Sequence, residues 1–200
     1  MSLFKVISFL VYFRTIVVVK AALYGFAFEN DEMFDDCPDV PYSVNVLDIG
    51  DLSNIEMDYT DGFVSVSGNH TVTWEGVQPT DRIECIAEVY QFRRGAWQPT
   101  PFTIIEKDFC KVQFDPTSVW YQVWSKHIPE HLRICFNNYG IMYAYEPFTV
   151  DARFNFITFV EGRYKLVGRG FAYDERNLKR KVSLKGVSAS EEAVVVLVHS

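Results

Sequence analysis

Short runs of alternating apolar and polar residues recur along most of this chain, and turn-forming residues separate them. Residues 82–92 are the clearest example, because their alternate positions are apolar over most of the run and Cys85 falls on the apolar face. An Arg-Arg-Gly turn at residues 93–95 leads to an apolar run at residues 102–105, so these two segments are predicted to pair. Such repetition is typical of an antiparallel β-sandwich, and we expect a mainly β fold.

Turn signals at Asp61-Gly62 and Gly68-Asn69 predict a further hairpin in the first half of the chain. The strand predicted at residues 152–160 has two partly apolar faces, as expected for a strand between packed layers or one that faces a ligand cavity. The additional strands are predicted at residues 63–67, 71–75, 148–150, 152–160 and 163–173.

One short amphipathic helix is predicted between residues 115 and 129. Asp115 suits the N-cap and Pro116 the first helical position. The face that recurs at three- and four-residue steps contains Trp120, Val123, Trp124 and His127. This pattern predicts either a helix packed over the sheet core or an aromatic lid on an apolar pocket.

Residues 1–21 have the layout of a cleaved secretory signal peptide, with an early lysine, an apolar run and small residues at the cleavage position. Arg14 and Lys20 interrupt the apolar segment, so each run is far shorter than the roughly 18 residues of a membrane span. An uncleaved anchor or a buried helix is the alternative. We therefore expect an extracellular protein with one domain at residues 22–178 and an atypical tail at residues 179–200.

The charge balance is acidic, with 19 basic and 26 acidic residues and a net charge of -7. Removal of the signal would take away three bases and no acid, which makes the mature chain more acidic still. Such a domain as a whole would be repelled by phosphate backbones and by anionic lipid surfaces, so nucleic acid is not an expected partner.

Motifs that carry catalysis are absent from the sequence. It contains no G-x-S-x-G, H-E-x-x-H, P-loop or G-x-G-x-x-G pattern, and its carboxylates have no spacing that marks an acid and base pair. We therefore expect a protein that is not an enzyme and that uses no cofactor or metal.

The cysteines support an oxidising compartment, since an even number follows the predicted signal and none lies in a CxxC pair. By themselves they allow three pairings. A sequon at Asn69-His70-Thr71 provides a glycosylation site that agrees with secretion. The cysteines are Cys37, Cys85, Cys110 and Cys135.

Three longer motifs occur in order in the middle of the chain: RGxWQPT at residues 94–100, KDFCK at 107–111 and WYxxW at 120–124. With their flanking segments they span residues 66–173. This region resembles the insect chemosensory CheA and CheB proteins, which are grouped with domains similar to the ganglioside activator protein and the ML lipid-recognition fold.

The resemblance implies a β-sandwich or β-cup of ML or immunoglobulin-like type, whose two sheets separate to admit an acyl chain or hydrocarbon. It implies a bridge between Cys110 and Cys135 that pins the helix to the sheet. It also implies that Cys37 pairs with a cysteine in the last strand.

The carboxyl end departs from that pattern, because no cysteine follows Cys135. Either Cys37 pairs with Cys85, or both are unpaired, or the tail derives from an altered reading frame or exon end. A buried free thiol at Cys85 agrees with its inward position. The apolar residues 193–198 are expected to form an edge strand or an aggregation-prone tail.

Two functions follow as hypotheses. The first is a secreted chemosensory-type protein that binds or presents a lipid or hydrocarbon semiochemical, with a membrane sensory receptor as a further partner. The second is an extracellular protein-interaction module with a filled aromatic core. The candidate ligand contacts are Trp97, Phe109, Trp120, Tyr121, Trp124, Phe154, Phe156 and Tyr164.

Overall fold

A computed structural model of the chain describes residues 22–28, 44–60, 62–156, 160–179 and 187–197. Residues 26–28, 44–45, 154–156 and 187–197 are described by their backbone. The predicted signal at residues 1–21 and Cys37 lie outside these ranges.

The described residues form two sheets whose strands are almost all antiparallel, as predicted for a β-sandwich. The strands in chain order are β1 Ala22–Phe28, β2 Val44–Asn45, β3 Gly50–Thr60, β4 Phe63–Val72, β5 Arg82–Arg93, β6 Ala96–Glu106, β7 Met142–Ala144, β8 Phe148–Asp151, β9 Arg153–Phe156, β10 Gly162–Tyr173 and β11 Val187–Leu197. The large sheet has the order β6-β5-β10-β11-β1-β9, with β2 parallel to β11. The small sheet has the order β3-β4-β7, and β8 also pairs with β4. The two sheets do not close into a barrel.

The β5–β6 hairpin confirms the strongest strand prediction. Arg94 and Gly95 both have positive φ, at 54° and 79°. Two such residues in sequence make the type I′ turn whose twist matches that of the flanking strands. The Arg-Arg-Gly sequence therefore closes the hairpin as expected.

The predicted hairpin around Gly68 and Asn69 is wrong. Gly68 lies within the continuous strand β4, and the hairpin is formed instead by β3 and β4. Gly68 has φ +95°, and a Cβ built there would come 1.9 Å from the backbone oxygen of Asn54. The glycine thus permits a close approach of two strands, where the register of β3 shifts between Asp51 and Asn54.

The helical segment differs from its prediction in start and length. Helix α1 comprises Phe109–Val112 and was not predicted, whereas α2 comprises Val119–Val123. The N-cap of α2 is Ser118, whose hydroxyl accepts a hydrogen bond from the backbone N–H of Tyr121 at 3.0 Å. Asp115 instead accepts bonds from the backbone and hydroxyl of Thr117, so it organises the turn before the helix.

Short 3-10 helices make up the remaining helical structure that the model describes. They comprise Val46–Asp48, Ser125–His127 and Glu130–Leu132. No helix in the described ranges is long and apolar enough to cross a bilayer.

The tail includes strand β11, which pairs with β10 on one side and β1 on the other. It is therefore an inner strand and not an edge strand. Its apolar residues 193–197 pair with β1, so this end of the chain is part of the large sheet.

The core lies between the sheets and takes residues from both. Val72 and Tyr143 come from the small sheet, and Ile83 and Ala172 come from the large sheet. Phe109 of α1 joins them. The helical segment therefore packs over one end of the sandwich, which agrees with the first of its two predicted roles.

The predicted bridge between Cys110 and Cys135 is confirmed, with a Cα–Cα distance of 5.3 Å and a separation of 25 residues. Closure of a loop of this length contributes about 3 kcal/mol by restricting the unfolded chain. Because Cys110 belongs to α1, the bridge fastens the helical segment beside β5.

Cys85 carries a free thiol, so it does not pair with Cys37. Burial, with smaller contributions from Glu106 and Glu84, raises the pKa of this thiol to about 12. The prediction of an unpaired thiol at Cys85 is confirmed, and this side chain is partly buried against the core.

Replacement of Gly68 by alanine should lower the free energy of unfolding by about 2 kcal/mol more than replacement of Gly140. Both glycines have positive φ, but a Cβ at Gly140 would meet no atom within 4 Å. The difference therefore isolates the contact with Asn54. Urea unfolding of G68A and G140A measures it, and equal losses would contradict the close approach.

Candidate ligand-binding site

Three of the predicted ligand contacts meet under the helical segment. The ring of Phe109 lies 5.4 Å from Trp120 and 6.4 Å from Trp124 between centroids. Phe136 packs edge-on against Phe109 at 5.1 Å. These rings contact one another, so they fill this end of the sandwich as an aromatic cluster.

A hydrogen-bonded chain of polar groups crosses the same cluster. The indole N–H of Trp124 donates to the hydroxyl of Tyr145 at 2.7 Å. That hydroxyl also bonds Nδ1 of His70 at 2.7 Å. His70 belongs to β4 and Tyr145 follows β7, so these two hydrogen bonds connect the helical segment to the small sheet.

Gln113 is the centre of a second group of buried hydrogen bonds nearby. Its amide donates to the hydroxyl of Tyr143 at 3.4 Å, and its carbonyl oxygen accepts from the backbone N–H of Phe136 at 3.2 Å. The hydroxyl of Tyr143 donates in turn to the backbone oxygen of Ile134. Burial raises the pKa of Tyr143 to about 12, so its hydroxyl stays protonated.

Burial lowers the pKa of His70 from 6.5 to about 4. Its ring lies among aromatic neighbours, with centroid distances of 5.0 Å to Tyr143 and 5.6 Å to Tyr145. The imidazole is therefore neutral at physiological pH, and it serves as a hydrogen-bonding member of the core.

Two buried donors in this region lack an acceptor among the described residues. They are the indole N–H groups of Trp74 and Trp120. An unsatisfied buried donor costs about 1–3 kcal/mol, and a water or a ligand oxygen would relieve that cost.

The other predicted contacts lie elsewhere. Trp97 is on the outer face of the large sheet, where it packs edge-on against Phe92 at 5.2 Å. Tyr121 lies beneath the guanidinium of Arg133. The eight predicted residues therefore do not line one common pocket.

Phe154 and Phe156 belong to β9, which pairs with β1 at one edge of the large sheet. Their side chains lie outside the described part of the molecule.

The inner face of the large sheet continues beyond the core as an apolar surface. Ala87 follows Ile83 on the same face of β5, and the register places Ile104 and Gly168 beside it. In the next row Leu166 lies opposite Val89. We call Ala87, Val89, Ile104, Leu166 and Gly168 the open face.

Two side chains of this surface are exposed although they belong to the face that forms the core, whereas Ala87 is buried. Ile104 is 39% exposed and Leu166 is 48% exposed. A Cβ built on Gly168 would meet no atom within 4 Å, so there is free space above the sheet at this point. Tyr164 extends the same face by one row, opposite Gln91.

The position of the small sheet explains the exposure. The tip of the β3–β4 hairpin contacts the large sheet near the edge that is farthest from β6. A Cβ built on Gly62 would come 2.8 Å from the side chain of Arg153 and 4.0 Å from the Cα of Gly25. These residues belong to β9 and β1, whereas the open face is built on β6, β5 and β10. The tip of the small sheet therefore lies over β9 and β1, at a distance from the open face.

The open face could not be located from the sequence. The run at residues 102–105 was predicted to be a strand, but which of its two faces is left uncovered depends on where the small sheet packs. Between Glu88 and Tyr90 the β5–β6 register shifts, and the hydroxyl of Thr100 donates there to the backbone oxygen of Val89 at 2.7 Å. The shift is two residues, so even-numbered residues of β6 face inward on both sides of it.

Comparison with known proteins adds no family assignment. No protein-family model matches the chain, and a search of curated proteins finds no match. Within the described ranges, no group of three His, Cys, Asp or Glu side chains is arranged to hold a metal ion.

The neutral state of His70 should make stability depend on pH. Between pH 6.5 and about 4 the unfolded chain binds a proton at this ring and the folded chain does not, so the free energy of unfolding should fall as the pH falls. The loss attributable to His70 should reach up to about 3 kcal/mol.

The variant H70Q retains a hydrogen-bonding side chain beside Tyr145 but has no titrating ring. Urea unfolding of the wild type and of this variant across the interval measures the effect as a difference in slope. Parallel pH curves for the two proteins would contradict the assignment.

Proposed function

We propose that this protein is a secreted chemosensory-type protein that binds a lipid or hydrocarbon semiochemical on the inner face of its large sheet, beside the small sheet, and presents it to a membrane sensory receptor. The observation that carries the proposal is the open face. It offers apolar side chains and free space on a sheet surface that is otherwise covered by the core.

The chemistry of this surface suits an unbranched apolar ligand. Ala87 and Gly168 are small and lie side by side, so the alkyl chain of a ligand can pass over the sheet at this point. Ile104 and Leu166 flank them. Each buried methylene group contributes roughly 0.8 kcal/mol, so about ten would supply the free energy of a micromolar complex before ordering costs.

Three features support an extracellular location. The disulfide between Cys110 and Cys135 is of the kind that persists in oxidising compartments. Residues 1–21 have the pattern of a signal peptide. Asn69 alternates with the inward-facing His70 along β4, so its side chain is directed away from the core.

The second candidate is an extracellular protein-interaction module. The observation that favours it is the aromatic cluster, because Phe109, Trp120 and Trp124 pack against one another. In that case the open face would contact a protein partner and would bind no small molecule.

Binding of an apolar ligand should depend on the open face. Leu166→Glu places a carboxylate there and should weaken binding of a fluorescent long-chain fatty alcohol by at least tenfold, because the charge loses hydration next to the alkyl chain. Fluorescence titration with the purified secreted protein measures the dissociation constant. Native mass spectrometry after mild lipid extraction checks for a copurified ligand.

Ile105→Glu is the matched control. Ile105 is 56% exposed on the same sheet but on its outer face, where it lies opposite Ile86. This variant should bind the probe as the wild type does. Absence of micromolar binding and of any copurified lipid would rule out the carrier function and leave the interaction module.

Secretion should be accompanied by cleavage of residues 1–21 and by glycosylation of Asn69. Expression in a eukaryotic secretory host should yield medium-borne protein that begins after residue 21 and loses mass on treatment with an N-glycosidase. The variant N69Q should show no such loss. Retention of the chain inside the cell with an intact amino terminus would contradict the proposed location.

A further inference from the structure

We propose that the tip of the β5–β6 hairpin is a docking surface for anionic lipid bilayers. The surface, called the basic tip, consists of Phe92, Arg93, Arg94, Trp97 and Arg163. Phe92, Trp97 and Arg163 lie on the outer face of the large sheet, and the turn at Arg93 and Arg94 lies at its end, so this surface shares no residue with the open face.

Positive charge is concentrated in this part of a chain that is acidic as a whole. Residues 89–105 contain two arginines and no acidic residue, and β10 contains Arg163, Lys165 and Arg169 and no acidic residue. The whole chain has 26 acidic and 19 basic residues. A local excess of positive charge in such a chain creates a region that attracts a negative surface.

The two turn residues carry the accessible charge. Arg93 and Arg94 are exposed, and neither forms an ion pair with any residue in the described ranges. Arg94 has φ 54° in the type I′ turn, so the hairpin holds it at the end of the sheet.

Aromatic rings hold further cations beside the turn. The guanidinium of Arg163 lies 5.3 Å from the ring centroid of Phe92 and 5.8 Å from that of Trp97. The ammonium of Lys165 lies 4.9 Å from the same indole. These contacts hold the two cations beside the aromatic rings.

The mixture of side chains distinguishes a bilayer from a polyanionic glycan. Phe92 is 37% exposed and adjoins Trp97, and both rings are suited to the boundary between headgroups and acyl chains. Arginine side chains are attracted to the anionic headgroups of the same surface. A sulfated glycan would match the charges but would gain nothing from an exposed phenyl ring.

Sedimentation with vesicles tests the proposal on the full secreted protein. Vesicles of phosphatidylcholine with roughly one third phosphatidylserine should bind the protein, and the affinity should fall with salt. The double variant R93Q/R94Q should bind these vesicles roughly thirtyfold more weakly, and F92S should bind them about tenfold more weakly.

The matched control is K107Q/K111Q, which removes two bases at the opposite end of β6 and in α1. It should change vesicle affinity by less than about twofold, because these lysines lie away from the basic tip. Thermal unfolding of every variant checks that the hairpin variants are folded. An equal loss in both double variants would overturn the assignment.

Two further outcomes would overturn the proposal. One is equal binding to vesicles of pure phosphatidylcholine, which would exclude recognition of charge. The other is binding to heparin without binding to phosphatidylserine vesicles, which would assign the tip to a glycan. Ligand titration is performed without vesicles and should be unchanged in R93Q/R94Q, so it tests the proposed carrier function separately.

Discussion

Burial of Phe109 between the helical segment and the two sheets is the interaction on which the arrangement of this molecule depends. Its ring contacts Trp120, Trp124 and Phe136, and the adjacent Cys110 is bridged to Cys135. These contacts close one end of the sandwich with aromatic side chains. Among the described residues, no comparable aromatic cluster covers the other end. The tip of the small sheet lies beside β1 and β9. A sandwich that is closed at one end and uncovered at the other follows from this asymmetry.

The closed end combines apolar packing with hydrogen bonds that join His70, Tyr145 and Trp124. Such a network is favourable only while every member keeps its protonation state, because a charged imidazole among aromatic rings would lose its hydration. The closed end is therefore suited to structural support. The open face, with the small residues Ala87 and Gly168 at its centre, is the region where an apolar molecule would be accommodated.

The charge distribution gives the two faces of the large sheet different properties. The inner face is apolar beyond the core, whereas the outer face carries cations held against Phe92, Trp97 and other rings. Arg169 also pairs with Glu88 on that outer face. A carrier with these properties would contact its ligand on one face and a negatively charged surface near the hairpin tip. The two proposals rest on different residues and are independent.

The sequence by itself determined the mainly β class, the β5–β6 hairpin with its Arg-Arg-Gly turn, and the inward position of Cys85. It did so because alternation and turn chemistry are local properties of the chain. Resemblance to a family, not spacing, supplied the pairing of Cys110 with Cys135. The tertiary structure alone decided that Gly68 lies inside β4, that Ser118 caps α2 and that Ile104 and Leu166 are exposed together. Those outcomes depend on a close contact with Asn54, on the turn at Asp115 and on where the small sheet packs against the large one. Each of these arises from residues distant in sequence or from competing local hydrogen bonds.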